Sequence, residues 1–357
     1  MILMSDTESM ESLMSYINFI NMNILYVGNK LSKYGYTPTS IETLGPLLEE
    51  LGFKLYYASD KLNIFLRMLH TISTVWKYRN KINYILIDTY SKKSFYGTFI
   101  ISILYNLIKI KYILILRSGD LYDRFKTHKQ ISKIVFDNAY KLISPSEFLK
   151  IEFKKQGYEV SVIPNNILIK NYKFIKRHLI SPKLLFVRSF HSRYNPQMAI
   201  MVLYELKKIY GDAELCMVGP DKDGSMEKCK KLAEELGISD SVLFAGKLSK
   251  PAWHKLSEKY NVFINTTNVD NTPVSVIEAM ALGLPIVSTN VGGIQYLLED
   301  GKDSILIEKG NVLQMTEAIK SIANDELMTK NIVVNARKKA KQFDWSKIKE
   351  KWKELLK

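Results

Sequence analysis

Short apolar runs of strand length recur along this chain, separated by segments of helical character, and that alternation restricts the fold more than any other feature. A first series lies near Ile24, Lys54, Tyr84, Ile113 and Leu142, and a second near Leu184, Glu214, Val242, Val262 and Ile286. Strands joined through helices run parallel, and a parallel sheet needs helices on both faces. Two consecutive series therefore predict an α/β chain built of two doubly wound, Rossmann-like sheets. With 357 residues, 46% hydrophobic and 24% charged, the chain can fill two globular cores.

The longest apolar stretch, Tyr96 to Leu116, is interrupted by Lys109 and Lys111 after roughly a dozen residues, short of the ~20 needed to span a bilayer. It reads as a buried crossover helix over Phe95 to Leu107 followed by a strand over Tyr112 to Leu116. Residues 1–21 carry three acidic residues, no basic ones and only a broken apolar run. They read as an N-terminal extension rather than a secretory signal. Cys216 and Cys229 give neither a disulfide framework nor zinc spacing and predict reduced thiols in a cytoplasmic protein. His128 and His191, likewise without metal spacing, read as structural.

The densest chemistry lies between Asn268 and Gly293. Thr272 suits an N-cap and Pro273 the first helical position, Val274 to Leu282 forms a short helix, and Gly283 suits the left-handed position that ends it. Pro285 to Thr289 reads as the strand that follows. Asp270 then lies in the loop before the helix, and Glu278 about one and a half turns inside it. Both border the positive end of the helix dipole, a place suited to an anion that also carries hydroxyl groups.

This segment resembles the signature of the retaining glycosyltransferases of family four, in which two acidic residues are separated by seven others, as Asp270 and Glu278 are here. The resemblance implies the GT-B fold, two Rossmann-like domains facing each other across a cleft. It makes Asp270 and Glu278 the catalytic pair, Glu278 on the ribose hydroxyls and Asp270 at the donor sugar. Asp270 stands where the family usually has Glu, keeping the charge and shortening the reach by a methylene. After the strand Leu184 to Val187, Arg188 and Arg193 fall where the family uses Arg and then Lys to hold the donor diphosphate, and Tyr194 replaces the usual following Gly. A guanidinium can hold phosphate oxygens bidentately. Gly219, in the turn Met217 to Gly224, resembles the glycine turn beneath the nucleotide. Val242 to Leu248 resembles the segment that reads the base through main-chain groups, which adds Leu248 to the donor contacts, as the helix start adds Thr272, Pro273 and Val274.

In the first domain the resemblance places Gly35 and Thr37 in the loop facing the diphosphate, ahead of a helix from about Ser40 to Leu51. Arg117-Ser-Gly-Asp120 stands where many relatives carry a His-Gly pair, so Arg117 and Asp120 become candidate sugar or acceptor contacts. The implied domains are an acceptor-side domain over 22–175 and a nucleotide-sugar domain over 176–335. A C-terminal segment, 336–357, follows. Its helix, Trp345 to Leu356, carries an apolar stripe at Trp345, Ile348, Trp352 and Leu355 and returns to the first domain. A basic linker runs from about Lys170 to Pro182.

The activity so implied is transfer of a glycosyl group, with retention, from a nucleotide diphosphate sugar to an acceptor hydroxyl in cell-surface polysaccharide or glycolipid assembly. The donor expected is UDP-linked. No metal is needed, and no cofactor beyond that co-substrate. A nucleotide-sugar epimerase of the same fold and a catalytically idle scaffold are the alternatives. Residues 51–180 hold 23 Lys and Arg against 8 Asp and Glu, an excess equal to the +15 of the whole chain. A basic acceptor-side domain predicts a lipid-linked saccharide acceptor and peripheral attachment to an anionic membrane, at about 1 kcal/mol per cation. Nucleic acid is not expected: zinc-finger spacings are absent, and the aromatic residues follow strand and helix cores rather than basic ribbons.

Overall fold

The computed structural model describes residues 22–58, 60–92, 94–177 and 182–356, without the side chains of 105–107. The N-terminal extension 1–21 and residues 178–181 of the expected linker lie outside them. Six parallel strands form the first sheet: β1 (Asn23–Val27), β2 (Lys54–Ala58), β3 (Tyr84–Thr89), β4 (Tyr112–Leu116), β5 (Lys141–Ser144) and β6 (Ser161–Val162). Their order is β2-β1-β3-β4-β5-β6. The second sheet, also parallel, contains β7 (Lys183–Val187), β8 (Glu214–Val218), β9 (Val242–Gly246), β10 (Val262–Asn265), β11 (Ile286–Thr289) and β12 (Ile305–Ile307). Its order is β12-β11-β10-β7-β8-β9. In each sheet the chain first builds to one side of its opening strand and then crosses to the other. The resulting switch points lie between β1 and β3 and between β7 and β10, where the strand ends diverge and leave room for a ligand.

Helices cover both sheets, as buried strands require; β4 and β10 are buried at every residue. The first sheet is followed through its crossovers by α1 (Ser40–Glu49), α2 (Ile64–Tyr78), α3 (Phe95–Ile108), α4 (Lys129–Asp137) and α5 (Glu147–Lys154). The second has α6 (Pro196–Lys207), α7 (Ser225–Glu235), α8 (Lys250–Leu256), α9 (Val274–Leu282), α10 (Val312–Asn324) and α11 (Glu326–Ala340), and α12 (Trp345–Leu356) is the last helix of the chain. The crossover helix α3 is not buried all round: Tyr96 and Ile103 are 44% and 45% exposed, because the helix packs on one side only. The edge strands β6 and β12 go beyond the expected strands; at two and three residues they are too short to carry a hydrophobic period.

The chain divides into two compact units, 1–163 with 348–357, and 164–347. The first boundary thus falls twelve residues before the expected 175/176, because Ile167 and Tyr172 are buried in the core of the second unit. The second unit also runs past 335: Ala336 and Ala340 of α11 belong to that same core. In α12 the stripe Trp345, Ile348, Trp352 and Leu355 is buried. Within the first unit, Lys141 Nζ donates to the Leu355 carbonyl at 3.0 Å. Among the described residues no helix is long and apolar enough to cross a membrane.

Candidate donor site and acceptor-side cavity

The switch point of the second sheet brings together the loops after β7 and β10. Arg188 leaves the end of β7, and its Nη2 forms an ion pair with Asp270 Oδ2 from the loop after β10, both side chains being largely buried. The guanidinium lies 4.0 Å over the Tyr194 ring, so Tyr194 supplies a stacking face where a glycine was the usual residue. Arg188 Nε is buried without a hydrogen-bond partner among the described residues. A buried cationic N–H left unanswered is costly and suits an anionic ligand.

Glycines set the backbone of this site. Gly219, after β8, has φ 155°, and a Cβ there would stand 2.0 Å from the Arg188 carbonyl oxygen. Only glycine lets the chain pass so near Arg188. Gly292 and Gly293 do the same for the acidic loop: a Cβ on either would meet the Asp270 or Asn271 carbonyl oxygen at 2.4 and 1.7 Å. The two loops are also tied directly. Asn268 N donates to the Arg193 carbonyl at 2.8 Å, and the Thr266 hydroxyl donates to the carbonyls of Tyr194 and Asn195 at 2.9 Å each. Arg193, half-buried, thus holds the acidic loop through its main chain.

His191 has the structural role read from the sequence, its Nδ1 accepting from Arg193 N at 3.0 Å. Asp223 accepts from Ser192 N at 2.8 Å, and that backbone bond, with a hydroxyl bond from Ser225, holds its carboxyl well below the usual carboxylate range.

Helix α9 begins one residue later than the sequence suggests. Pro273, with an extended ψ of 117°, is the N-cap rather than the first helical residue. Thr272 moves outside the helix, buried, with its carbonyl accepting from Asn165 Nδ2 at 3.0 Å. Because Pro273 offers no capping side chain, the first-turn N–H groups are uncapped. The Ser275 hydroxyl, buried in that turn, has no hydrogen-bond partner among the described residues. Glu278, 3% exposed, accepts from Tyr172 OH at 2.9 Å and from Lys250 Nζ at 2.7 Å. Burial, and then the Glu278 charge, push the Tyr172 hydroxyl upward. The His254 ring lies tilted against Tyr172 and edge-on to Trp253, with centroids 4.7 and 4.5 Å apart. Burial, with Lys250 nearby, lowers its pKa to about 4. Val274 and Leu248 pack half-buried on the adjoining core. Sequence reasoning missed Tyr172, Lys250, His254 and Ser275; only Lys250 and Ser275 had a local signal, at the starts of helices.

In the first unit the expected residues do not gather. Gly35 has φ 81° and ends a short turn, and Thr37 is exposed. The Glu42 carboxylate accepts from Thr39 N at 3.2 Å and from Ser32 N at 3.1 Å, so an acidic group already occupies the start of α1. Asp120 accepts from the Ser91 hydroxyl at 2.7 Å. Arg117 is largely buried, and its Nε donates to Asp88 Oδ1 at 2.7 Å. Burial alone would lower that guanidinium; Asp88 and the hydroxyls of Tyr26 and Tyr90 outweigh it and raise the pKa. Arg117 therefore holds Asp88, whose Oδ2 has no hydrogen-bond partner among the described residues. Asp88 lies at the β1/β3 switch point and lines a cavity of about 380 Å³ with Gly28, Phe65, Met68, Tyr96 and Thr98. Sequence reading did not find this cavity. Among the described residues no three His, Cys, Asp or Glu side chains cluster as a metal site.

Comparison with known proteins gives a consistent family. Residues 170–339 match the model for Glycosyl transferases group 1. An uncharacterized glycosyltransferase of Haemophilus influenzae is 29% identical over 206 residues, covering 57% of this chain and 56% of that protein. A Campylobacter jejuni α-1,4-N-acetyl-D-galactosaminyltransferase acting on an undecaprenol-diphosphate-linked saccharide is 26% identical, over 51% of this chain and 49% of its own. The chain thus spans about half the length of these two relatives. Among solved structures, sucrose-phosphate synthase from Thermosynechococcus elongatus superposes with TM-score 0.80 at 15% identity, covering 94% of this chain and 98% of that one. Anabaena HepE in complex with UDP superposes with TM-score 0.74 at 17% identity, covering 94% and 99%. At such identities the likeness concerns the fold, which is GT-B.

Proposed function

We propose, on the match of residues 170–339 to the model for Glycosyl transferases group 1, that the chain is a glycosyltransferase of that kind and transfers a sugar, with retention, from a UDP-sugar to an acceptor hydroxyl. One observation carries the reading. At the switch point of the second sheet, a largely buried Arg188 with an unanswered N–H stands against an acidic loop and an uncapped helix start. That combination fits a diphosphate. Arg188 and the α9 N–H groups take the phosphate oxygens, with Arg193 beside them. Glu278, oriented by Tyr172 and Lys250, takes the ribose hydroxyls, and Asp270 faces the sugar once the diphosphate competes for Arg188. The bond from the anomeric carbon to the β-phosphate oxygen breaks, a bond to the acceptor oxygen forms on the same face, and the acceptor proton passes to the departing phosphate. Cationic and N–H groups fixed around that phosphate stabilise the charge it gains as it leaves.

In the first unit, Asp88 Oδ2 is the acceptor group for a substrate hydroxyl. The Campylobacter relative acts on an undecaprenol-diphosphate-linked saccharide, and a Staphylococcus aureus relative, 24% identical over 66% of this chain and 48% of its own, is named a poly(ribitol-phosphate) α-N-acetylglucosaminyltransferase, which supports a polymeric or lipid-linked acceptor. A thermal-shift series tests the donor reading, because a ligand that binds only the folded state raises the melting point. UDP and UDP-sugars are expected to raise it and uridine to leave it unchanged, while Arg188→Ala loses the shift and Glu278→Ala loses turnover. The absence of a shift with every nucleotide diphosphate would refute the reading.

A further inference from the structure

Helix α2 buries Thr71, Thr74 and Val75 against the first sheet and turns the opposite face outward. On that outward face Phe65, Leu66, Leu69 and Trp76 are 69%, 57%, 59% and 54% exposed, and Leu62 just ahead of the helix is 50% exposed. A single exposed leucine is ordinary, but a row of large apolar side chains along one helix face marks an interaction surface. Its charge is one-sided. Between Asp60 and Asp88 there is no acidic residue, while Lys61, Arg67, Lys77, Arg79 and Lys81 are all basic. Asp60 itself is held by Lys33 Nζ at 2.7 Å, with Lys61 Nζ at 3.6 Å and His70 Nδ1 at 3.2 Å. The Arg79 guanidinium lies 4.3 Å over the Trp76 ring and donates to the Trp76 carbonyl at 2.7 Å, which keeps a cation beside the aromatic.

We propose that α2 lies in the surface of an anionic lipid bilayer. Phe65, Leu66, Leu69 and Trp76 enter the headgroup boundary, and Lys61, Lys77, Arg79 and Lys81 meet the anionic headgroups. A second copy of the chain fits the same surface poorly. Two-fold pairing would set these cations against each other, with no acidic residue on the element to answer them. Ile64, Phe65, Arg67 and Met68 at the start of α2 also wall the cavity that holds Asp88, so a ligand carried in the lipid would meet that cavity at the bilayer surface. The proposal deepens the transferase reading by naming where its acceptor is met. Docking is measured without any sugar donor, so either can fail while the other stands.

The test is flotation of the full chain with vesicles of phosphatidylglycerol and phosphatidylethanolamine, against vesicles of phosphatidylcholine alone, followed by tryptophan emission. Trp253, Trp345 and Trp352 are buried, at 4%, 7% and 3% exposure, so a blue shift on binding reports Trp76. Binding to the anionic vesicles with a blue shift is expected. About tenfold weaker binding is expected in Phe65→Ser/Leu69→Ser and in Lys77→Glu/Lys81→Glu, with unchanged melting temperatures, since these side chains are exposed. Absence of binding to anionic vesicles overturns the proposal. So does binding that neither double variant weakens, or a lipid-free dimer that shields Trp76 and is lost in the serine variant. Should the serine variant fail to fold, the charge variant and the emission shift still decide.

Discussion

Gly219 shows how much of the site depends on one missing side chain. Any Cβ there collides with the Arg188 carbonyl, so Gly219→Ala is expected to cost roughly 3 kcal/mol or more in urea unfolding and to abolish nucleotide binding. His254 makes a second residue-level prediction, with a sign. Its folded pKa, about 4, lies below the ordinary histidine value near 6.5. As pH falls through that window the unfolded chain takes up a proton that the folded chain refuses, and stability declines. The loss is on the order of 2 kcal/mol between pH 6.5 and 4. Denaturant melts at both pH values should show a smaller loss in His254→Gln.

At this scale the sequence was informative about Asp270, Glu278 and Arg188, because they stand beside strand ends and a helix start that local pattern reveals. It was silent about Tyr172 and His254, whose roles depend on contacts across long sequence separations, and about Asp88, hidden inside a strand until the sheet order was known. The partner of Arg117 was not legible, since no local signal announces that a carboxylate one strand away already claims it.

Among the elements, α9 concentrates the design. Its start is uncapped toward the site, whereas its end is held by cations. Arg177 donates to the carbonyls of Leu282, Ile175, Tyr260 and Ser257 at 2.8, 3.1, 2.8 and 3.2 Å, and Arg337 donates to the Ala281 carbonyl. Burial lowers the Arg177 pKa to about 10. Two guanidinium groups on the last carbonyls complement the helix dipole and fix the axis along which the first turn points. Arg177→Ala should therefore destabilise the protein by about 2–3 kcal/mol. Hydrogen exchange should show faster opening of α9, and nucleotide affinity should weaken although the bond from Arg177 to α9 is made at its far end, on the Leu282 carbonyl. The helix itself was legible, from Val274 through the left-handed Gly283, because glycine and proline punctuate it. Its anchoring was not, since Arg177 lay in what read as a basic linker.

For the molecule as a whole, the alternation of strand and helix was enough to predict two parallel sheets, but not where one unit gives way to the other. The segments at both crossings are fixed within the second unit: Ile167 N donates to the Phe343 carbonyl at 2.8 Å, and Trp345 N to the Ile167 carbonyl at 2.9 Å. Residues 348–357 complete the core of the first unit, with Ile348, Trp352 and Leu356 buried. Deleting them is expected to make the first unit sensitive to limited proteolysis while 164–347 stays resistant. That split has a consequence for birth on the ribosome. The contiguous second unit has every residue it needs once position 347 has emerged, whereas the earlier-translated half must wait, its sheet translated but its last helical cover unmade. Nascent chains of this protein should thus mature in the reverse of their order of synthesis, with the older half the natural client of chaperones.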